Sequence, residues 1–589
     1  MLKTLMAQIR QYRLVSLLTP LTAALEVLME TLIPFVTAML IDQGIQQGDM
    51  PAIMKYGAMM LGLAFASLLF GVLAARFAAT ACAGFAANIR NAMYENIQTF
   101  SFSNIDRFST AGLVTRMTTD VSNLQNAYGM ILRIAVRAPL TFLCSMVMCF
   151  YTNARLSSIF LVAVIFLGAC LAFIVRIASG RFSAVFHKYD DLNASVQENV
   201  SAIRVVKAFV REEHETEKFT SATRNLYNMF LRAEKVVAFN NPLMMLTVYT
   251  CIIAISWLSA KYIVIDASMT TGDLTAMISY VLSVLMSLMM LSMIFVMLTM
   301  SIASGRRIAE VLNEKADIVN PGQPVMHVAD GSIDFDHVSF AYKTGTGEDT
   351  LHDINLHIRA GETIGVIGGT GSGKSSLVNL ISRLYDVTGG SVSVGGVDVR
   401  RYDLDTLRNS VAVVLQKNVL FSGTILENLR WGKEDATEEE CAEACRAACA
   451  SEFIERMPDG YRTHIEQGGT NVSGGQKQRL CIARALLKHP KVLILDDSTS
   501  AVDTATDAKI RKAFSQHIPG TTKIIIAQRI ASVKDADRIL VLDNGAVSGF
   551  GTHSELIESN DIYREIYETQ TQGGGDFDEA RMQDGGETA

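Results

Sequence analysis

The sequence predicts an all-α membrane domain of six helices followed by an α/β domain built around a phosphate-binding loop. Three observations carry this reading. Six apolar stretches in the first half each reach the ~20 residues that a helix needs to cross a bilayer. Alternating strand-like and helical runs fill the second half. Between one such strand and helix lies a glycine-rich run ending in Lys374 and Ser375. Composition agrees, with 49% hydrophobic and 19% charged residues and a mean hydropathy of +0.26. At 589 residues the chain is too long for one core. A net charge of −7 argues against a nucleic-acid binder, which would show a basic face.

The apolar segments run over 14–41, 57–84, 131–152, 156–177, 243–265 and 274–300; the third and fourth are separated by only about 152–155. Segments 1 and 2, 3 and 4, and 5 and 6 are joined by short loops containing Asp42, Asp49, Asp266 and Asp273, with few cations. The longer connections are basic, with Arg90, Arg107 and Arg116 in one and Arg181, Lys188, Arg204, Lys207, Arg211 and Lys218 in the next. Positive residues stay in the cytoplasm, so both termini and the second domain are expected there. Residues 186–240 keep a helical period, which extends the spans beyond the bilayer as helices. Lys3, Arg10 and Arg13 precede a stretch too long for the apolar core of a cleavable leader.

Within the spans, Glu26 and Glu30 share one face of segment 1 near mid-bilayer. Intramembrane carboxylates are costly and face a cavity or a partner. Arg76 is the nearest candidate in sequence, but counting places it on the order of 10 Å nearer the cytoplasm. Either a translocation cavity that would hold cations or pairing elsewhere in the bundle is expected. Met286, Met289, Met290, Met293 and Met297 form a stripe on segment 6. Thioethers suit a surface that accepts varied ligands, and equally suit lipid contact or helix packing. Cys441, Cys445 and Cys449 recur every four residues, which would align them on one helix face. Packing of small residues is favoured there over metal binding.

Residues 313–331 are polar, carry Pro321 and Pro324, and read as a linker between a membrane domain over 1–312 and the second domain over 332–570. In that domain, Gly368-Gly369-Thr370-Gly371-Ser372-Gly373-Lys374-Ser375 follows an apolar strand over 363–367 and, with Ser376, opens a helix. Glycines let backbone N–H groups close around phosphate oxygens, and the helix N-terminus favours their charge. Lys374 would hold the β- and γ-phosphates and Ser375 would ligate Mg²⁺. A strand over 491–495 ends at Asp496, well placed to orient the metal through water. Residues 571–589 are Gly-rich and acidic and read as a disordered tail.

Between these lies Val472-Ser473-Gly474-Gly475-Gln476. It resembles the signature of ATP-binding-cassette (ABC) proteins, with Val for the usual Leu. Other elements of that family match in order: Tyr342, Gln416, and Ser500-Ala501-Val502-Asp503. The resemblance spans essentially the whole chain, including 199–209, and points to a half-transporter of the multidrug-exporter (type IV) branch. Its second domain would then be an α/β P-loop NTPase, the ABC ATPase domain. The resemblance implies a head-to-tail pair of ATPase domains, with MgATP between the phosphate loop of one and the Ser473–Gln476 equivalent of the other. Tyr342 would stack on adenine. Gln416 would sense the γ-phosphate, contribute at the metal and touch connecting helices near 104–112 and 211–219, the second of which docks on a partner's ATPase.

Two positions depart from the family. After Asp496 it has Glu to polarise the attacking water; here Asp497 stands, one methylene shorter. A misplacement of about an ångström costs ~10²-fold in rate. In the switch strand, Gln528 replaces His, and an amide neither carries charge nor transfers a proton as imidazole does. Both changes fall on groups that act on the γ-phosphate, whereas the binding elements are intact. The pattern resembles the degenerate-site subunit of heterodimeric bacterial exporters, working in the bacterial cytoplasmic membrane on amphipathic compounds. A homodimer with slow sites, an ATP-gated channel and an importer are the competing readings.

Overall fold

The computed structural model describes residues 1–266, 268–342, 349–497 and 504–572. The chain falls into two units, one of Met1–Gln98 with Thr110–Glu314, the other of Thr99–Ser109 with Lys315 onward.

The first unit is helical, and among the described residues six helices are, by length and composition, long and apolar enough to cross a membrane. The spans belong to helices Arg13–Met39, Met50–Gln98, Val121–Thr152, Ala154–Ser201, Asn240–Val264 and Thr271–Asn313. The 49-residue second helix is about 70 Å long at ~1.5 Å per residue, far more than a ~30 Å hydrocarbon core requires. The close boundary between spans 3 and 4 resolves at a single residue. Asn153 takes extended backbone, and its side-chain oxygen accepts from the amides of Arg155 and Leu156 at 3.1 and 3.2 Å. That N-cap stops one helix and starts the next.

The connection after span 4 is helical, as its period predicts, but interrupted. Ile203–Ala208 and Glu212–Ala238 are separate helices, and Val210 between them has φ +52°. Spans 1 and 6 meet closely at Asp42. Its carboxylate accepts from the Gly272 amide (2.9 Å) and the Thr270 hydroxyl (2.6 Å). A Cβ on Gly272 would lie 2.4 Å from that carboxylate, so only glycine permits the approach.

The second unit is α/β. Its six-stranded sheet runs in the spatial order Ala546–Gly551, Arg538–Asp543, Thr363–Gly368, Thr522–Ile526, Val492–Asp496 and Val411–Val414. All neighbours are parallel except the Ala546–Gly551 edge. Strands Val492–Asp496 and Thr522–Ile526 are buried at every residue, as parallel strands covered on both faces must be. Leu493 and Leu495 feed one core, Val492 and Ile494 the other. A four-stranded, largely antiparallel sheet contains Ile333–Phe340 and Leu351–Ile358.

A short helix, Phe102–Phe108, joins this unit although it lies between the second and third spans in sequence. The Tyr385 hydroxyl donates to Asp106 Oδ2 at 2.7 Å, Phe102 lies 6.0 Å from the Tyr385 ring, and Asn104 Nδ2 donates to the Lys315 carbonyl at 3.1 Å. The cysteine expectation needs correction. Cys441 and Cys445 are buried on helix Glu438–Ala447, but Cys449 lies beyond its end at φ +52°, so the three do not share one helix face.

Candidate functional site

The parallel sheet gathers most of the expected residues at the C-terminal ends of its strands, where open α/β sheets form their ligand crevices. Gly368 ends one strand, Asp496 ends another, and Gln528 and Gln416 each stand two residues past the end of theirs.

The phosphate loop follows from its glycines. Gly371 and Gly373 have φ +83° and +93°, and a Cβ on Gly368 would fall 2.2 Å from the Leu542 carbonyl. Gly369, Thr370 and Gly371 are exposed, Ser372 is buried, and Lys374 begins helix Lys374–Ile381. The Lys374 ammonium donates to the carbonyls of Gly368 (2.9 Å) and Gly369 (2.7 Å). The Ser375 hydroxyl donates to Asp496 Oδ1 at 3.1 Å. Burial pushes the Asp496 carboxyl above its ordinary range; the neighbouring Asp497 charge adds to this, and Ser375 and Lys374 oppose it. Burial likewise holds Lys374 below the usual lysine range, against the pull of both carboxylates.

Asp497 is buried, at φ +46°. Its Oδ2 accepts from Gln528 Nε2 at 2.9 Å and lies 3.5 Å from Gln416 Nε2. The two residues that depart from the family are thus bonded to each other. Gln570, which the sequence did not single out, holds the same loop from behind. Its Oε1 accepts from the Ile530 amide (2.8 Å) and its Nε2 donates to the Gln528 carbonyl (2.9 Å). No local pattern marks it, because it stands at the end of helix Asp561–Gln572, remote in sequence.

Tyr342 sits in an aromatic cluster, 4.8 Å from Phe340 and 5.2 Å from Tyr385 between ring centroids. Its hydroxyl pairs with Ser376 Oγ at 2.9 Å, which fixes it beside the phosphate loop. The Ser473–Gln476 run forms a reciprocal cap on helix Gly474–Leu486: Ser473 Oγ accepts from the Gln476 amide, and Gln476 Oε1 from the Ser473 amide. Ser473 and Gly474 are exposed, while Val472 is buried. Asp503 and its 500–503 run lie outside the described residues, as does the tail from 573.

Beside the Gln416 loop is a cavity of about 310 Å³ lined by Leu415, Val419, Phe421, Trp431 and Arg484 among others. Phe421 and Trp431 stack at 4.2 Å, and both are exposed.

In the helical unit, the partner of Glu26 and Glu30 is Arg137 on the third span, not Arg76. One guanidinium arm binds Glu26 Oε1 and the other binds Glu30 Oε2 at 2.8 Å. Of the two expectations for these carboxylates, pairing within the bundle holds; they are not a free cation site. Glu30, Arg137, Met286 and Met290 nevertheless line one cavity of about 250 Å³. Met289 and Met297 are exposed.

A helical membrane unit and a phosphate-loop α/β unit in one chain define a membrane protein with its own nucleotide-binding module. Comparison gives the family. Residues 17–289 match the ABC transporter transmembrane region and residues 351–500 the ABC transporter family. An uncharacterized ABC transporter ATP-binding protein of Bacillus subtilis is 36% identical over 562 residues, covering 95% of this chain and 97% of its own. A probable multidrug resistance ABC transporter ATP-binding/permease protein of the same organism is 35% identical over 391 residues, 66% of either chain. The ATP-bound structure of a bacterial Atm1-family ABC exporter shares the fold, with a TM-score of 0.80 and 23% identity over 95% of this chain and 98% of its own. The chain belongs to the ABC transporter family.

Proposed function

We propose that this chain is one subunit of a heterodimeric ABC exporter, with an ATP site of its own that binds MgATP and hydrolyses it poorly. The observation that carries this is the Asp497 carboxylate, one methylene short of the family's Glu and bonded to Gln528, the residue in place of the family's His. A carboxylate whose oxygen is taken by an amide is a poor base for water, and the amide cannot return a proton.

The binding half of the site fits its ligand. The glycine-only turns leave room for phosphate oxygens, Lys374 supplies the counter-charge, and Ser375 with Asp496 offers two hard oxygen ligands of the kind Mg²⁺ takes. Mg²⁺ there, with Gln416 alongside, would neutralise phosphate charge. Tyr342 is held at the loop to stack on the base.

The exposed Ser473–Gly474 cap would complete the partner's competent site. The exposed Phe421–Trp431 groove is where a short helix of the partner, equivalent to Ile203–Ala208 of this chain rather than to 211–219, would dock. The basic connections support an orientation with the ATPase unit and both termini in the cytoplasm of a bacterium. The multidrug name of one relative supports amphipathic, drug- or lipid-like cargo.

The test is ATP hydrolysis by the chain purified alone, by its Asp497→Glu/Gln528→His double variant, and by preparations containing a co-purifying homologous subunit. Slow turnover alone is expected. The double variant should gain on the order of 10²-fold, more than either single change. Brisk drug-stimulated hydrolysis by the unmodified chain alone would refute the proposal.

A further inference from the structure

We propose that the membrane unit takes an amphiphile with an anionic head (carboxylate, phosphate or sulfate), and that Arg133 receives that head. This deepens the transporter reading above and rests on it. A chamber of about 760 Å³ in the helical unit lies between the second, third and sixth spans. That volume suits a drug-sized ligand. None of the described residues lining it is acidic, and two are arginines one helical turn apart, Arg133 and Arg137.

The two arginines are not equivalent. Arg137 has one arm on Glu26 and the other on Glu30, so both faces of its fork are occupied. Its charge is more than balanced, because the two carboxylates share one cation. Glu26 Oε2 is buried with no hydrogen-bond partner, so the acid side already lacks donors. Arg133 has no ion-pair or hydrogen-bond partner among the described residues. A guanidinium within a span faces a cavity and needs an anion, and its planar fork matches carboxylate and phosphate oxygens in a bidentate way.

The rest of the chamber suits an amphiphile. Gln125 and Asn126 add neutral hydrogen-bonding groups two turns before Arg133, while Met130, Met290 and Ile294 make an apolar wall. Met290 and Arg137 also line the smaller chamber with Met286 and Glu30, so a tail leaving Arg133 finds thioethers along its path. A cation would instead meet Arg133 and Arg137 first. The carboxylates on segment 1 therefore do not make this chamber cation-selective.

The experiment is equilibrium binding to the full chain, with any co-purifying subunit, in phosphatidylcholine nanodiscs. Dodecyl phosphate and dodecyltrimethylammonium are compared because they share one tail. The phosphate should bind about tenfold more tightly, a difference of one bidentate contact. Arg133→Gln should abolish the preference and Arg133→Lys should keep part of it, each with an unchanged melting temperature. Equal or reversed preference, no binding of either probe, or a preference that survives Arg133→Gln would overturn the proposal. Replacing part of the phosphatidylcholine with phosphatidylglycerol separates two sources of the head. Arg133-dependent competition would make the bilayer lipid itself an occupant, and absence of competition would leave the single-tailed anion. ATP-dependent transport into vesicles is measured separately. Its failure with binding intact would overturn the export reading alone.

Discussion

Asp496 and Asp497 are adjacent carboxylates with different work. Asp496 ends its strand within reach of the Ser375 hydroxyl, and Asp497 turns away at positive φ to meet Gln528. Burial raises the Asp496 carboxyl above its ordinary range, so the folded unit holds that proton more tightly than the unfolded chain does. Its contribution to stability is complete below the unfolded value and is lost as pH rises through the raised folded value. Asp496→Asn is therefore expected to melt higher than the parent at neutral pH in chelator, with the difference vanishing as pH falls below the ordinary carboxylate range. The same variant should lose the Mg²⁺-dependent part of nucleotide binding. Thermal unfolding across pH, with and without MgATP, checks both. At this scale the sequence was most informative, because phosphate-loop chemistry is local. The glycine, lysine and serine spacing is contiguous, and each turn needs the residue found there.

Strand ends were legible because the signal sat in the chain beside them: the runs over 363–367 and 491–495 are strands Thr363–Gly368 and Val492–Asp496. Helix ends were less so, since Asn153, whose cap divides spans 3 and 4 at one residue, was not singled out in the sequence. What escaped reading were contacts made across elements. Arg137 meets Glu26 and Glu30 only because the first and third spans pack together, and sequence distance gives no hint of that. Cys449 misses its helix because the backbone reverses hand at that residue. Removing Arg137 would leave Glu26 buried and uncompensated, at a cost of about 3 kcal/mol. Arg137→Met should lower the melting temperature in detergent, and adding Glu26→Gln should recover part of the loss.

Gln570 is the corresponding case in the ATP-binding unit. Gln570→Leu removes both bonds to the Gln528 loop, so amide exchange over 528–533 is expected to quicken. Gln570→Glu keeps the acceptor for the Ile530 amide and should lie between. Hydrogen-exchange mass spectrometry of that peptide reads the result.

For the whole molecule, charge and hydropathy gave the order of the two units, because a bilayer and an aqueous ATPase select opposite compositions. They also gave six spans, each now a helix. They did not reveal that the ATP-binding unit takes in a piece of chain from between two spans. Helix Phe102–Phe108 is covalently part of the membrane half, yet its side chains complete the aromatic surface around Tyr385, which also touches Tyr342. The peptide boundary near residue 315 is thus not the boundary of the folded unit.

A fragment of residues 315–572 would be cut through its own surface, with the Tyr385 face laid bare. Such a fragment should melt lower and self-associate more than one that receives a 99–109 peptide in trans. The peptide should bind it, and Tyr385→Ala should weaken that binding; fluorescence anisotropy of the labelled peptide measures this directly. Anyone dissecting this transporter by truncation would otherwise be comparing an intact module with a wounded one.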